Sequence, residues 1–202
     1  MFTPRFARRN LQRLRKKGLG DFERELLAAA SEPGLDGARV LEIGGGIGAL
    51  QAELLAAGAE TAEIVEIVAA YEPYAQELAR ERGFEERSSF RVLDVLQEPD
   101  AVEQADVVLM NRVVCCSPDG IELAARAAAL TRRSLVFSFP RDVVWIRAGG
   151  RVVNAGFALF RRSFRLFIHS RAELIAAAEA QGLRVSGGGH GIAWEYAAFR
   201  RA

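Results

Sequence analysis

The run Val40-Leu41-Glu42-Ile43-Gly44-Gly45-Gly46-Ile47-Gly48 constrains the fold more than any other stretch of this chain. An apolar segment carrying one acid passes through a glycine turn straight into a helix-forming segment at 49–57. Glycines at 44, 46 and 48 permit positive φ and let a ligand approach with no Cβ in the way, and the following helix points its free N–H groups at that ligand. The unit reads as strand, ligand loop and helix, the entry to an α/β sheet.

Two ligands compete for such a loop. In one reading, Gly44-x-Gly46-x-x-Ala49 meets the dinucleotide fingerprint, with Glu66 as the ribose acid of an NAD(P)-dependent oxidoreductase. In the other, Glu42-x-Gly44-x-Gly46-x-Gly48 resembles the first motif of class I S-adenosyl-L-methionine-dependent methyltransferases. A carboxylate two residues before the first glycine suits the ammonium of a methionine moiety and would repel a pyrophosphate. Glu42 therefore favours S-adenosyl-L-methionine, with Gly44, Gly45, Gly46 and Gly48 forming its backbone cradle. The segment 61–66 reads as a second strand whose last residue, Glu66, faces the ribose hydroxyls, with Ile67 beside it. A third strand, 89–94, ends in Asp94, where the resemblance implies an acid on the adenine amino group and Val95 framing the ring. Three acids closing successive strands point to the ligand crevice of an open sheet.

The remainder alternates strand and helix: helix 72–82, strand 106–110, helix 119–130, strand 135–139. Such alternation implies a parallel sheet covered by helices on both faces. A largely helical insertion at 142–162 is followed by an extended segment at 164–169, a helix at 171–181 and a strand at 183–186. Gly187-Gly188-Gly189-His190-Gly191 then turns the chain into a last strand at 192–199, an antiparallel hairpin. The expectation is a Rossmann-like, doubly wound, mostly parallel seven-stranded sheet with an antiparallel C-terminal hairpin strand. Residues 1–35 form N-terminal cap helices, Asp21 capping the second before a loop at 31–34, and 36–202 form the ligand-binding domain. A reversed final strand is the methyltransferase variant of the fold, and that resemblance covers residues 36 to 200.

At 202 residues the chain suits one domain with a small cap, and no apolar run approaches a membrane span. Its two cysteines are adjacent, Cys115-Cys116, a poor spacing for a structural disulfide; with no secretory leader in view, the expected compartment is the cytoplasm. Net charge is +1, yet residues 1–17 hold seven cations and no acid, interleaved with Phe2, Phe6, Leu11 and Leu14. This basic amphipathic helix either packs on the domain with its cations solvated or covers the site and offers arginines to an anionic substrate. Binding to nucleic acid or a membrane surface ranks third, one basic helix on a nearly neutral domain being a weak footprint.

The segment Asn111-Arg112-Val113-Val114-Cys115-Cys116-Ser117-Pro118-Asp119 follows the fourth strand and should lie beside the sulfonium. Here and in the late Phe-rich region the chain resembles magnesium-protoporphyrin O-methyltransferases and their small-molecule relatives. It departs from them in having Cys116 before Ser117-Pro118, where that family has a histidine before Tyr-Pro, and in lacking tyrosine among residues 1–30. Asn111 and Arg112 are expected on the methionine and acceptor side, and Arg112 and Arg141 to grip an anion. Cys115 and Cys116 are expected either to line the acceptor pocket, Cys116 with a catalytic part, or to be small buried hydrophobes. Trp145, Phe157 and Phe160 either wall the pocket or pack as core. His169 either borders the acceptor and serves as base or caps the next helix, and His190 is a turn residue. No metal site is expected from a Cys-Cys pair without histidine spacing. The function expected is methyl transfer to a small-molecule acceptor, anionic or aromatic, at oxygen. The remaining alternative, a nucleic-acid methylating or binding protein, lacks an extended basic face or an Asn/Asp-Pro-Pro-Tyr motif.

Overall fold

The structure is a computed structural model describing residues 2–32, 34–160 and 164–201. Pro33 of the expected loop at 31–34, and residues 161 and 162 of the expected insertion, lie outside the described residues.

Seven strands form one sheet: β1 (Arg39–Ile43), β2 (Thr61–Glu66), β3 (Ser88–Val92), β4 (Ala105–Met110), β5 (Thr131–Pro140), β6 (Leu183–His190) and β7 (Trp194–Arg201), in the order β3-β2-β1-β4-β5-β7-β6. The first five strands are parallel, and β7 runs antiparallel to both neighbours. The strand order reverses between β1 and β4, so their C-terminal ends open a crevice at that switch point.

Among the described residues, seven α-helices surround the sheet: α1 (Pro4–Lys17), α2 (Asp21–Ser31), α3 (Ala49–Ala56), α4 (Glu72–Glu81), α5 (Gly120–Ala129), α6 (Val144–Leu159) and α7 (Arg171–Glu179). Because β4 is buried on both faces, its sequence is a continuous apolar run after Asp106. Val107 and Leu109 pack with Leu26 of α2 and Leu50 and Leu54 of α3, while Val108 and Met110 pack with Leu123 of α5 and Leu174 of α7. Helix α1 begins at Pro4, with the Thr3 hydroxyl accepting the Phe6 N–H at 3.3 Å. It buries Ala7 and Leu11 against Ile47, Ala52, Tyr71 and Leu78, and Arg15 forms ion pairs with Glu77 and Glu81 of α4.

Three local expectations are corrected. Gly187, Gly188, Gly189 and His190 belong to β6 rather than to the hairpin turn, and the turn falls at 191–193. The cause is close approach of the two backbones: a Cβ on Gly188 would lie 2.8 Å from the Tyr196 carbonyl oxygen, which only glycine tolerates. Register shifts between Val185 and Gly187. The third strand stops at Val92, so Asp94 sits beyond it, its Oδ1 accepting the Leu96 N–H at 3.0 Å in a side-chain turn. Finally, Gly20, not Asp21, precedes the first turn of α2, and Asp21 lies inside the helix.

Candidate active site

Backbone hydrogen bonds shape the loop after β1 before any side chain does. The Gly44 N–H, at φ 68°, donates to Val65 O of β2 at 2.7 Å and ties the turn to the neighbouring strand. A Cβ at 44 would lie 2.6 Å from Val113 Cγ2, so the residue is excluded from substitution by both conformation and space. Gly48, at φ 74°, stands at the N-cap of α3.

Two cavities open at the switch point. The larger, of about 570 Å³, is lined by Gly44, Gly46, Glu66, Tyr71, Asp94 and Cys116 among others. The smaller, of about 310 Å³, lies under α1 and α2 and is lined by Arg13, Glu23, Glu42 and Gly45. Asn10, Gly44, Asn111 and Arg112 border both, making the two halves of one crevice.

Glu66 is the buried acid of the larger half. Its Oε2 accepts the Gly46 N–H at 3.2 Å and its Oε1 the Val68 N–H at 3.0 Å. Burial pushes its carboxyl up, and these N–H groups partly oppose the shift. A carboxylate offers about four lone-pair positions, so acceptor capacity remains on the cavity side. Ile67, Asp94 and Val95 line the same half. Tyr71, which follows β2 in a single helical turn at Ala69–Tyr71, was not singled out by sequence. Burial, reinforced by Glu66, pushes its hydroxyl up to about 12, so it is a proton donor at neutral pH. Its signal was an aromatic residue just beyond the strand that ends in Glu66. Phe2, named only as part of the amphipathic stretch, and Asn10 also line this half, since nothing local in residues 1–17 shows which of them fold over the crevice.

Glu42 lies on the smaller cavity. It is buried beneath the loop, where its Oε2 accepts the Gln51 N–H of α3 at 3.1 Å, and burial pushes its carboxyl up to about 8. It braces the turn while lining the smaller cavity, and burial shifts it toward the protonated form relative to an exposed glutamate.

Arg112 has φ 61°, the left-handed region that a branched chain rarely occupies. Three contacts hold it there. Its N–H donates to Ser138 Oγ at 2.8 Å, while Ser138 Oγ donates to Asn111 Oδ1 at 2.7 Å. The guanidinium pairs with Glu23 of α2 at 2.8 Å and lies 5.1 Å from the centroid of the Trp194 ring. Strain of this kind costs about 1–3 kcal/mol and tends to sit at functional sites.

The acceptor-side expectations are only partly met in space. Cys116 lines the larger cavity, but Cys115 is buried behind it, their sulfurs 3.8 Å apart. Hydrogen bonding between them holds the Cys116 thiol below its usual range and, with burial, pushes Cys115 up. His169 lies off both cavities: its Nε2 is 3.0 Å from both Val114 O and Ser117 O, and its ring packs on Gly120 at the start of α5. Two carbonyl acceptors require that nitrogen to carry the proton, so His169 clamps the loop after β4. Arg141 is turned to the hairpin, its N–H donating to Ala193 O at 3.0 Å and its guanidinium to Ile192 O at 3.3 Å. Trp145 projects from α6 into solvent and lines neither cavity. The described residues contain no cluster of three or more His, Cys, Asp or Glu suited to a metal ion.

No family model and no curated protein matches the sequence. Solved structures do. The magnesium protoporphyrin IX methyltransferase of Synechocystis PCC 6803, with bound S-adenosylhomocysteine, is 19% identical, with a TM-score of 0.71 over 90% of this chain and 82% of that one. The N-methyltransferase NodS of Bradyrhizobium japonicum WM9, in complex with the same compound, is 16% identical, with a TM-score of 0.66 over 90% of this chain and 86% of that one. The [4+2]-cyclase SpnF matches at 16% identity and a TM-score of 0.66, over 89% and 80% of the two chains. The fold is thus that of the class I S-adenosylmethionine-dependent methyltransferases, a scaffold that also carries at least one protein named for other chemistry.

Proposed function

We propose that this chain binds S-adenosylmethionine and transfers its methyl group to a small-molecule acceptor at oxygen. The observation that carries the reading is Glu66: a buried carboxylate at the end of β2, tied to the glycine loop through Gly46 N–H, with acceptor capacity left toward a cavity of about 570 Å³. Gly44, Gly45 and Gly46 would border the cofactor, with Glu66 and Ile67 at the ribose, Asp94 and Val95 at the adenine, and Asn111 and Arg112 toward the methionine end.

When bound, the cofactor supplies an activated methyl carbon on sulfur, so the chain has mainly to align the acceptor and exclude water. A carboxylate acceptor is already deprotonated at neutral pH and needs no base. That chemistry suits a lining in which Tyr71 is held protonated and His169 is engaged elsewhere. Tyr71 would donate a hydrogen bond, and Arg112, at the border of the two cavities, would attract an anionic acceptor. Strong S-adenosylhomocysteine binding in a calorimetric titration, with NADH and NADPH run in parallel, is the expected result. Binding of a dinucleotide alone would transfer the site to the oxidoreductase reading, and salt-sensitive RNA binding without either would transfer it to nucleic acid.

A further inference from the structure

Helix α6 turns an apolar face to water. Between Val144 and Leu159 it carries two charged residues, Arg147 and Arg151, and no acid. The helical repeat brings Val144, Trp145, Ala148, Val152, Ala155 and Leu159 to one side, and that side is the outer one: Val144 is 83% exposed, Val152 72% and Leu159 79%. Phe160 just past the helix is 75% exposed, and Ile192 in the β6–β7 turn, whose carbonyl takes the Arg141 guanidinium, is 83% exposed. The opposite side, through Gly150, Phe157 and Asn154, faces the segment at 164–168. A helix embedded in a protein core would not leave this side uncovered.

Charge is also segregated along the sequence. Residues 1–17 hold seven cations and residues 143–172 hold six, and neither segment contains an acid. The other 155 residues carry 14 cations against 26 acids, so a nearly neutral chain is divided into a basic part and an acidic part. The two basic segments meet in an aromatic contact: Phe2 lies 5.6 Å from the Phe164 ring, which in turn packs against Phe157 of α6 at 5.4 Å. Arg147 is paired with Asp142, but Arg5, Arg8, Arg9 and Arg151 form no ion pair among the described residues.

We propose that α6, together with the unpaired arginines of α1, docks on an anionic lipid bilayer, the apolar side chains entering the headgroup boundary and the arginines meeting the lipid phosphates. Apolar anchors beside acid-free cations are the pattern of an interfacial helix. A second copy of this chain is a poor occupant, because a two-fold contact through this face would set arginine against arginine. Nucleic acid would satisfy the cations while leaving Val144, Val152 and Leu159 in water. Phe2, which lines the larger cavity, reaches α6 through Phe164 and Phe157 on the inner side of that helix. Docking itself does not depend on the methyl-transfer reading.

The test is flotation of the whole chain with vesicles of phosphatidylcholine alone and with vesicles of equal parts phosphatidylcholine and phosphatidylglycerol. The expected result is flotation with the anionic vesicles only, weakened by salt. The combined substitutions Trp145→Ser, Val152→Ser and Leu159→Ser should reduce it by about tenfold or more, as should Arg5→Glu, Arg8→Glu and Arg9→Glu together. All six positions are exposed, so the melting temperature should hold. Quenching of wild-type tryptophan fluorescence by brominated lipid gives a readout that needs no variant. Absence of both flotation and quenching would overturn the proposal. So would anionic binding indifferent to the α6 serines, or sedimentation showing that those serines break a dimer instead.

Discussion

The glycine loop and α6 are built by opposite rules. Around the loop every group is fixed by a short contact: Gly44 N–H to Val65 O at 2.7 Å, Glu66 across the turn to Gly46 and Val68, Glu42 beneath it on Gln51. The side chains there are the buried acids Glu42 and Glu66. Along α6 the outer side chains touch little, the charged groups are arginines, and Gly150, nested against Ile168, is the helix's one buried residue. One region is specified from within; the other awaits something from outside. A ligand loop must be organised before its ligand arrives, whereas an acceptor or docking surface takes its order from what it meets.

The sharpest way to break that contrast is Gly44→Ala. Positive φ and the approach to Val113 together predict a loss of about 2–4 kcal/mol in a urea unfolding curve; a loss near zero would mean that the loop is as tolerant as α6. Next in size is Glu66→Ala, which should weaken S-adenosylhomocysteine binding by about 1–3 kcal/mol by calorimetry. Unchanged affinity would remove the observation on which the function rests. On the other side of the crevice, His169→Ala should cost about 1–2 kcal/mol of stability by freeing the loop after β4, while methyl transfer changes only severalfold. A fall of about a hundredfold or more in the rate of a still-folded variant would return His169 to the role of base.

A further expected effect is a pH dependence of stability set by the loop. The Glu42 carboxyl, raised to about 8 in the folded chain, binds a proton that the unfolded chain releases near its ordinary value. Its contribution to stability is therefore complete below about pH 4.5 and is lost as pH rises through about 8. Glu42→Gln, which keeps the acceptor for Gln51, should leave the melting temperature close to wild type at low pH and above it at about pH 9. An equal offset at both ends would mean that Glu42 is ionised in the fold.

The same contrast governs how much was legible in the sequence. Strand, glycine turn and terminal acid are local patterns, and Glu66 and Gly44 occupy the crevice that those patterns implied; the parallel sheet with its reversed last strand followed from alternation and apolar runs. Glu42 was found at the crevice, but the upward push on its carboxyl comes from burial, which no spacing reports. His169 and Arg141 stood near the crevice in the chain but are claimed by carbonyls of Val114, Ser117 and Ile192, partners 52 to 55 residues away in each case except the last, at 51. Trp145 was read as a pocket wall because an aromatic residue in an amphipathic helix ordinarily faces inward, and α6 inverts that habit. The glycines at 187–189 resembled a turn since their real reason, backbone contact with β7, lies on another strand.

That glycine strand has a further consequence. β6 is the last strand at its edge of the sheet and sends only Leu183 into the core, while its neighbour β7 buries Ala197, Ala198 and Phe199. Amide hydrogen exchange should therefore be fast along β6 at the protons not engaged with β7 and slow along β7, with the edge strand detaching in brief openings that leave the core dry. Damage at this border would be shed one strand at a time, and the crevice on the far side of β5 would not register it.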